Sequence, residues 1–127
     1  MATALLSLGA NTPNKREAIT NAIKAIGQIA SITAQTPIYE TPAEGSIVAQ
    51  PYANALLLIT TAGEYATLRE TFKNWEKEAG RTPQSKLQGI VPLDIDIIKW
   101  NDTLLKERDM EYEYMKKGLQ LLDNTHC

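Results

Sequence analysis

The order of apolar segments predicts an α+β fold, a ferredoxin-like βαββαβ sandwich in which an antiparallel sheet carries two helices on one face. Three observations lead there. Short apolar or alternating runs end at Gly or Pro, as strands do. Two stretches repeat apolar residues three and four apart, each set between strand-like runs. The length of 127 residues suits one domain over 1–127 that buries roughly two-thirds of the surface its unfolded chain exposes.

Ala4-Leu5-Leu6-Ser7-Leu8 is an apolar run closed by Gly9 and predicts the first strand. Asn11-Thr12-Pro13-Asn14 supplies a turn and a helix start, with Thr12 as the cap and Pro13 at the first helical position. Ala18, Ile19, Ala22, Ile23, Ile26 and Ile29 then recur at helical spacing, while Lys15, Arg16, Asn21 and Lys24 largely face water. Ile32 to Tyr39 alternates and predicts a second strand, in which Pro37 requires an edge or an irregular position. Glu40 to Pro51 has no periodic pattern and forms a loop of the length that tends to carry function.

Ala53 to Thr61 is apolar on both faces for much of its length, as expected near the centre of a covered sheet. Leu68, Phe72, Trp75 and Ala79 mark the second helix, ended by Gly80. The loop Arg81 to Val91 leads into the last strand, Pro92 to Trp100. Asn101-Asp102 suggests a turn, and Lys106 to Lys117 a terminal helix in a short C-terminal extension.

A net charge of -2, with basic residues scattered along the chain, leaves no footprint for nucleic acid. No segment approaches the length of a membrane span, and the opening residues lack the basic flank and apolar run of a signal peptide, so a cytoplasmic location is expected. The single cysteine, Cys127, cannot form an internal disulfide. Nothing in the sequence sets the oligomeric state.

Asp94 and Asp96 stand two residues apart in a β-branched run, so they project from one face with Cα atoms about 7 Å apart. Like charges so placed are costly unless a cation sits between them or water reaches them. Hard oxygen donors suit Mg²⁺, which is commonly held by one or two carboxylates plus substrate phosphates, and this points to phosphoryl or diphosphoryl transfer. The alternative is a wet edge strand whose acidic residues discourage aggregation.

Taken together, the chain resembles the 6-hydroxymethyl-7,8-dihydropterin pyrophosphokinase family over most of 5–102, with 103–127 divergent. The resemblance rests on Ser7-Leu8-Gly9-Ala10-Asn11, Ile38-Tyr39-Glu40-Thr41-Pro42 and Gln50-Pro51-Tyr52-Ala53-Asn54-Ala55, followed by Glu76, Gly80-Arg81 and Leu93-Asp94-Ile95-Asp96-Ile97. It implies a transferase of folate biosynthesis that moves diphosphate from ATP to a pterin alcohol. It gives Asp94 and Asp96 two Mg²⁺ ions, places Arg81 in the catalytic set, and puts Glu76 and Ile97 on the nucleotide side. Thr41, Pro42, Glu44, Tyr52 and Asn54 fall on the pterin side.

The chain departs from that family at two places. Between the second helix and the aspartates the family is rich in arginine, whereas here only Arg81 and Lys86 are basic. The family's later proline-histidine pair, arginine and phenylalanine give way to Met110 to Lys117, where Arg108, Lys116 and Lys117 are the cations at hand. Two readings follow: an ATP-dependent pterin diphosphotransferase with rearranged anion contacts, or a non-catalytic pterin-binding module that has lost productive ATP binding. Arg81 divides them, since it either stabilises the transferring diphosphate or merely interacts with carbonyls at the preceding helix end.

Overall fold

A strand that is apolar on both faces belongs inside a sheet, and the two strands of this kind take the central positions. The computed structural model of the chain describes residues 1–41 and 51–126. Within them the elements run β1 (Ala2–Ala10), α1 (Lys15–Ile29), β2 (Ser31–Gln35), β3 (Tyr39–Thr41), β4 (Tyr52–Thr61) and α2 (Tyr65–Glu78). They continue with α3 (Pro83–Leu87), β5 (Asp94–Trp100), β6 (Thr103–Leu104), a 3-10 turn (Glu107–Glu111) and α4 (Glu113–His126).

The sheet is antiparallel with order β2-β4-β1-β5-β6, and β3 also pairs with β4. Alternation along β1 sends Ala4, Leu6, Leu8 and Ala10 to the layer of α1 and α2, where they meet Ile19, Ile26, Leu68 and Phe72. Leu5 faces the other way and packs with Leu56, Ile98, Met115 and Leu122. The chain thus forms the expected ferredoxin-like α+β sandwich, with two helices on one face. Its C-terminal extension supplies a further helix, α4, on the opposite face.

Four local details differ from the sequence reading. The second strand is broken into β2 and β3 around Pro37, which has no N–H for the ladder. Just before the break, Thr36 keeps the pairing with β4 through its own N–H to Leu56 O at 3.0 Å and through its hydroxyl, which accepts from Leu56 N at 3.0 Å. Thr12 does not cap α1: its hydroxyl donates to Asn14 Oδ1 at 2.7 Å, and the helix begins at Lys15. The loop before β5 contains the short helix α3.

The terminal helix begins and ends later than expected. Residues 107–111 form the 3-10 turn, and the seating residues of α4, Met115, Leu119 and Leu122, extend past Lys117. Among the described residues no helix is long and apolar enough to cross a membrane.

Candidate active site

Register across the three middle strands builds the site. Gly9 on β1 pairs with Asn54 on β4 and with Asp94 on β5, so an amide, a bare backbone position and a carboxylate lie in one row. Ser7, two residues back, pairs with Asp96. Above this row opens a cavity of about 720 Å³, whose lining includes Ser7, Gly9, Asn54, Thr41, Arg81 and Asp94. Gly9 keeps its floor low, since a Cβ there would stand 3.7 Å from Asn54 Oδ1 and 4.0 Å from Tyr52 Cδ1. Three tyrosines, Tyr52, Tyr112 and Tyr114, complete the wall.

The buried Asn11 fastens one rim of this cavity to the end of β1. Its side-chain amide donates to Gly89 O at 2.8 Å and its Oδ1 accepts from Val91 N at 2.6 Å, while its backbone N–H donates to Val91 O at 2.9 Å. Gly89 takes a φ of 71°, the left-handed region in which glycine carries no Cβ penalty. Sequence reasoning saw Asn11 as a turn residue and as part of the family motif, but not as a clamp on a segment eighty residues away.

Charge is concentrated at the far end of the row. Arg81 Nη1 lies 2.6 Å from Asp94 Oδ1 and 3.4 Å from Glu76 Oε1, and Lys73 Nζ lies 3.3 Å from the same Glu76 oxygen. Glu76 is only 3 % exposed, and its other oxygen accepts from Ile95 N at 2.8 Å. Burial nonetheless pushes its carboxyl above the usual range, outweighing the Ile95 N–H and the two cations.

Asp94 and Asp96 are hydrogen-bonded to each other. Burial, and then the neighbouring charge of Asp94, push Asp96 up to about 7. Burial acts on Asp94 as well, but the hydrogen bonds from Asp96 and Arg81 outweigh it and hold Asp94 below its ordinary value. A proton and a guanidinium therefore offset the acidic pair that a bare strand could not carry.

This arrangement corrects the simpler role considered for Arg81. Its guanidinium reaches two carboxylates rather than the carbonyls at the end of α2; there the backbone closes the turn, with Gly80 N donating to Lys77 O and Arg81 N to Glu76 O. Arg81→Ala should accordingly cost stability as well as activity. It leaves the buried Glu76 with Lys73 alone and strips Asp94 of its cation, so urea denaturation should show a loss of about 1–3 kcal/mol. Unchanged stability would mean that the guanidinium does not hold these carboxylates in solution.

Asp96 also sets a pH dependence. The folded chain binds this proton more tightly than the unfolded chain, so its contribution to stability is complete below about pH 4 and is lost as pH rises through about 7. Glu76, also raised, acts with the same sign, whereas Asp94, lowered, loses its contribution only in acid. Without added divalent cation, the melting temperature should fall between about pH 4 and 7. Asp96→Asn should remove most of that fall; an unaltered profile in this variant would remove Asp96 as its cause.

The described pterin-side residues converge. Asn54 Nδ2 donates to Thr41 Oγ1 at 2.8 Å, and Thr41, Tyr52 and Asn54 all line the large cavity. Because the protein itself occupies this donor, no ligand is needed to explain a polar residue inside β4. Pro42 and Glu44 lie outside the described residues. Glu76 sits behind Asp94, and Ile97 is buried in the helical layer, where it borders a smaller cleft beside Asp96.

Tyr112 and Tyr114 were not foreseen in the site. Their rings stack with centroids 5.8 Å apart and planes at 23°, and both line the cavity together with Ser7. The tail therefore contributes aromatic surface as well as the negative charge that Glu111 and Glu113 suggest.

A sequence profile of the family described as 7,8-dihydro-6-hydroxymethylpterin-pyrophosphokinase (HPPK) matches residues 5–124. The chain belongs to this family. Membership supports a transferase of the pyrophosphokinase kind in folate synthesis, acting on pterin and ATP. The HPPK match runs past Asp102 and through most of α4, including both tyrosines. Comparison with individually curated proteins gives no match.

Proposed function

We propose that this HPPK-family chain transfers diphosphate from ATP to the hydroxymethyl group of 6-hydroxymethyl-7,8-dihydropterin and releases AMP. One observation carries the proposal: a single cavity joins the tyrosine-lined, amide-bearing pocket of Tyr52 and Asn54 to the Arg81–Asp94 pair. Tyrosine faces offer a flat heterocycle apolar cover, while Thr41, Asn54 and the backbone nearby offer hydrogen-bonding groups to its edge. A ring held there directs its hydroxymethyl group towards Asp94.

Asp94 and Asp96 supply hard oxygen donors suited to Mg²⁺, which when bound neutralises phosphate charge and orients the phosphates. In the transfer, the hydroxymethyl oxygen bonds to the β-phosphorus as the bond to the α,β-bridging oxygen breaks; AMP leaves with that oxygen, and the hydroxyl proton is lost to solvent. No protein nucleophile is required, because positioning and charge stabilisation carry most of such a step. The residues of this chain hold the acceptor, fix the carboxylates and present Arg81 to the developing charge.

A second reading, a pterin-binding module without catalysis, draws support from Arg81 itself, whose guanidinium is committed to Asp94 and Glu76. Incubation with ATP, Mg²⁺ and the pterin alcohol separates the two. Pterin-dependent AMP formation is the expected result. Pterin binding without any AMP at saturating substrates would leave the module, and binding of neither substrate would overturn both readings.

A further inference from the structure

The carboxylate pair stands between two recesses. Asp94 faces the large cavity, whereas Asp96 borders a cleft of about 30 Å³ together with Arg69, Lys73 and Lys106. Lys73 and Lys106 line this cleft together with Asp96, which places their charges close to it. Lys73 is shared with Glu76, but among the described residues neither Arg69 nor Lys106 has an ion-pair partner. Three cations from α2 and the segment after β6 thus gather around one carboxyl. The cleft has room for about one water-sized group, so an anion would lie across its mouth with a single oxygen inside.

Of the basic residues named above, Arg81, Lys116 and Lys117, though not Arg108, have partners of their own among the described residues. Arg81 is held by two carboxylates, Lys116 lies 3.8 Å from Glu113, and Lys117 sits 5.8 Å over the Tyr39 ring. We infer that Arg69, Lys73 and Lys106 form the phosphate clamp of this chain, gripping the polyphosphate on the Asp96 side while the acceptor fills the cavity on the Asp94 side. The inference rests on the pyrophosphokinase reading above. It divides the substrates between the two recesses, with the carboxylate pair between donor and acceptor. Arg69 alone of the three can present two parallel N–H groups to a phosphate; the lysines act as point charges.

Calorimetry on the full chain with Mg²⁺ and either a non-hydrolysable ATP analogue or inorganic tripolyphosphate tests the clamp. Arg69→Gln and Lys106→Gln should each weaken both ligands about tenfold or more, the scale of a lost charge-assisted hydrogen bond. The double variant should also reduce the salt dependence of binding, with pterin affinity unchanged. Variants that bind both ligands as tightly as the parent would overturn the clamp and leave the pyrophosphokinase reading standing. A parent that binds pterin but neither polyphosphate would overturn both.

Discussion

Replacing Asp94 and Asp96 together with Asn should lower Mg²⁺-dependent diphosphate transfer by about three orders of magnitude or more while the chain remains folded. The substitution keeps side-chain size and hydrogen-bonding capacity but removes the charge that would hold the cation. Two opposing effects keep the stability change small. Arg81 loses its 2.6 Å partner but retains Glu76, and the strand no longer carries a carboxylate that burial and a like charge raise to about 7. Steady-state turnover, Mg²⁺ titration by calorimetry and a urea melt read the three quantities separately. Undiminished Mg²⁺-dependent turnover in the double variant would move the metal site elsewhere.

The second large effect is expected at Gly118, in the middle of α4. On an isolated helix, Gly118→Ala would be favourable by about 1 kcal/mol. Here the new Cβ would overlap the Tyr39 hydroxyl and approach Leu56 Cδ1 to 2.6 Å and Cγ to 2.8 Å, so α4 would have to lift from the sheet. That helix buries Met115 and Leu122 and offers Tyr114 O to the Tyr39 hydroxyl at 2.8 Å. Overpacking should win: Gly118→Ala should destabilise the chain by about 1–3 kcal/mol, and Gly118→Val by more. By shifting Tyr112 and Tyr114 it should also weaken pterin binding. A stabilised Gly118→Ala variant would show that α4 does not seat this closely in solution.

What could be read from the sequence was what local pattern controls. The apolar runs of β1 and β4, the helical spacing in α1 and α2, and the β-branched strand carrying Asp94 and Asp96 each have a period that identifies the element. The break at Pro37 was legible as an irregularity, although not as two strands pairing with the same neighbour. Tertiary partners were not legible. Arg81 follows a helix-ending glycine, where contact with helix carbonyls is the local expectation, yet its reach to Asp94 depends on how α2 packs beside β5. Tyr112 and Tyr114 lie in a charged segment with no strong periodicity, and only the seating of α4 brings them to the cavity. The signal available was small: Met115, Leu119 and Leu122, four and three residues apart, continue a helical stripe beyond Lys117.

The central place of β1 also has a kinetic consequence. This first strand is bonded on one side to residues 53–61 and on the other to residues 94–100, and its Asn11 clamp spans eighty positions. Pairings this remote in sequence cannot form early, because closing long loops costs entropy before many contacts compensate for it. Folding should therefore fall in the slower range for α/β domains, milliseconds rather than microseconds. Until the last strand arrives, the edge of β1 that pairs with it lacks a partner, and there is neither an acidic pair opposite Ser7 and Gly9 nor a rim against Asn11. Ligand competence should consequently appear in the same kinetic phase as the completed sheet, with no earlier intermediate able to hold either substrate.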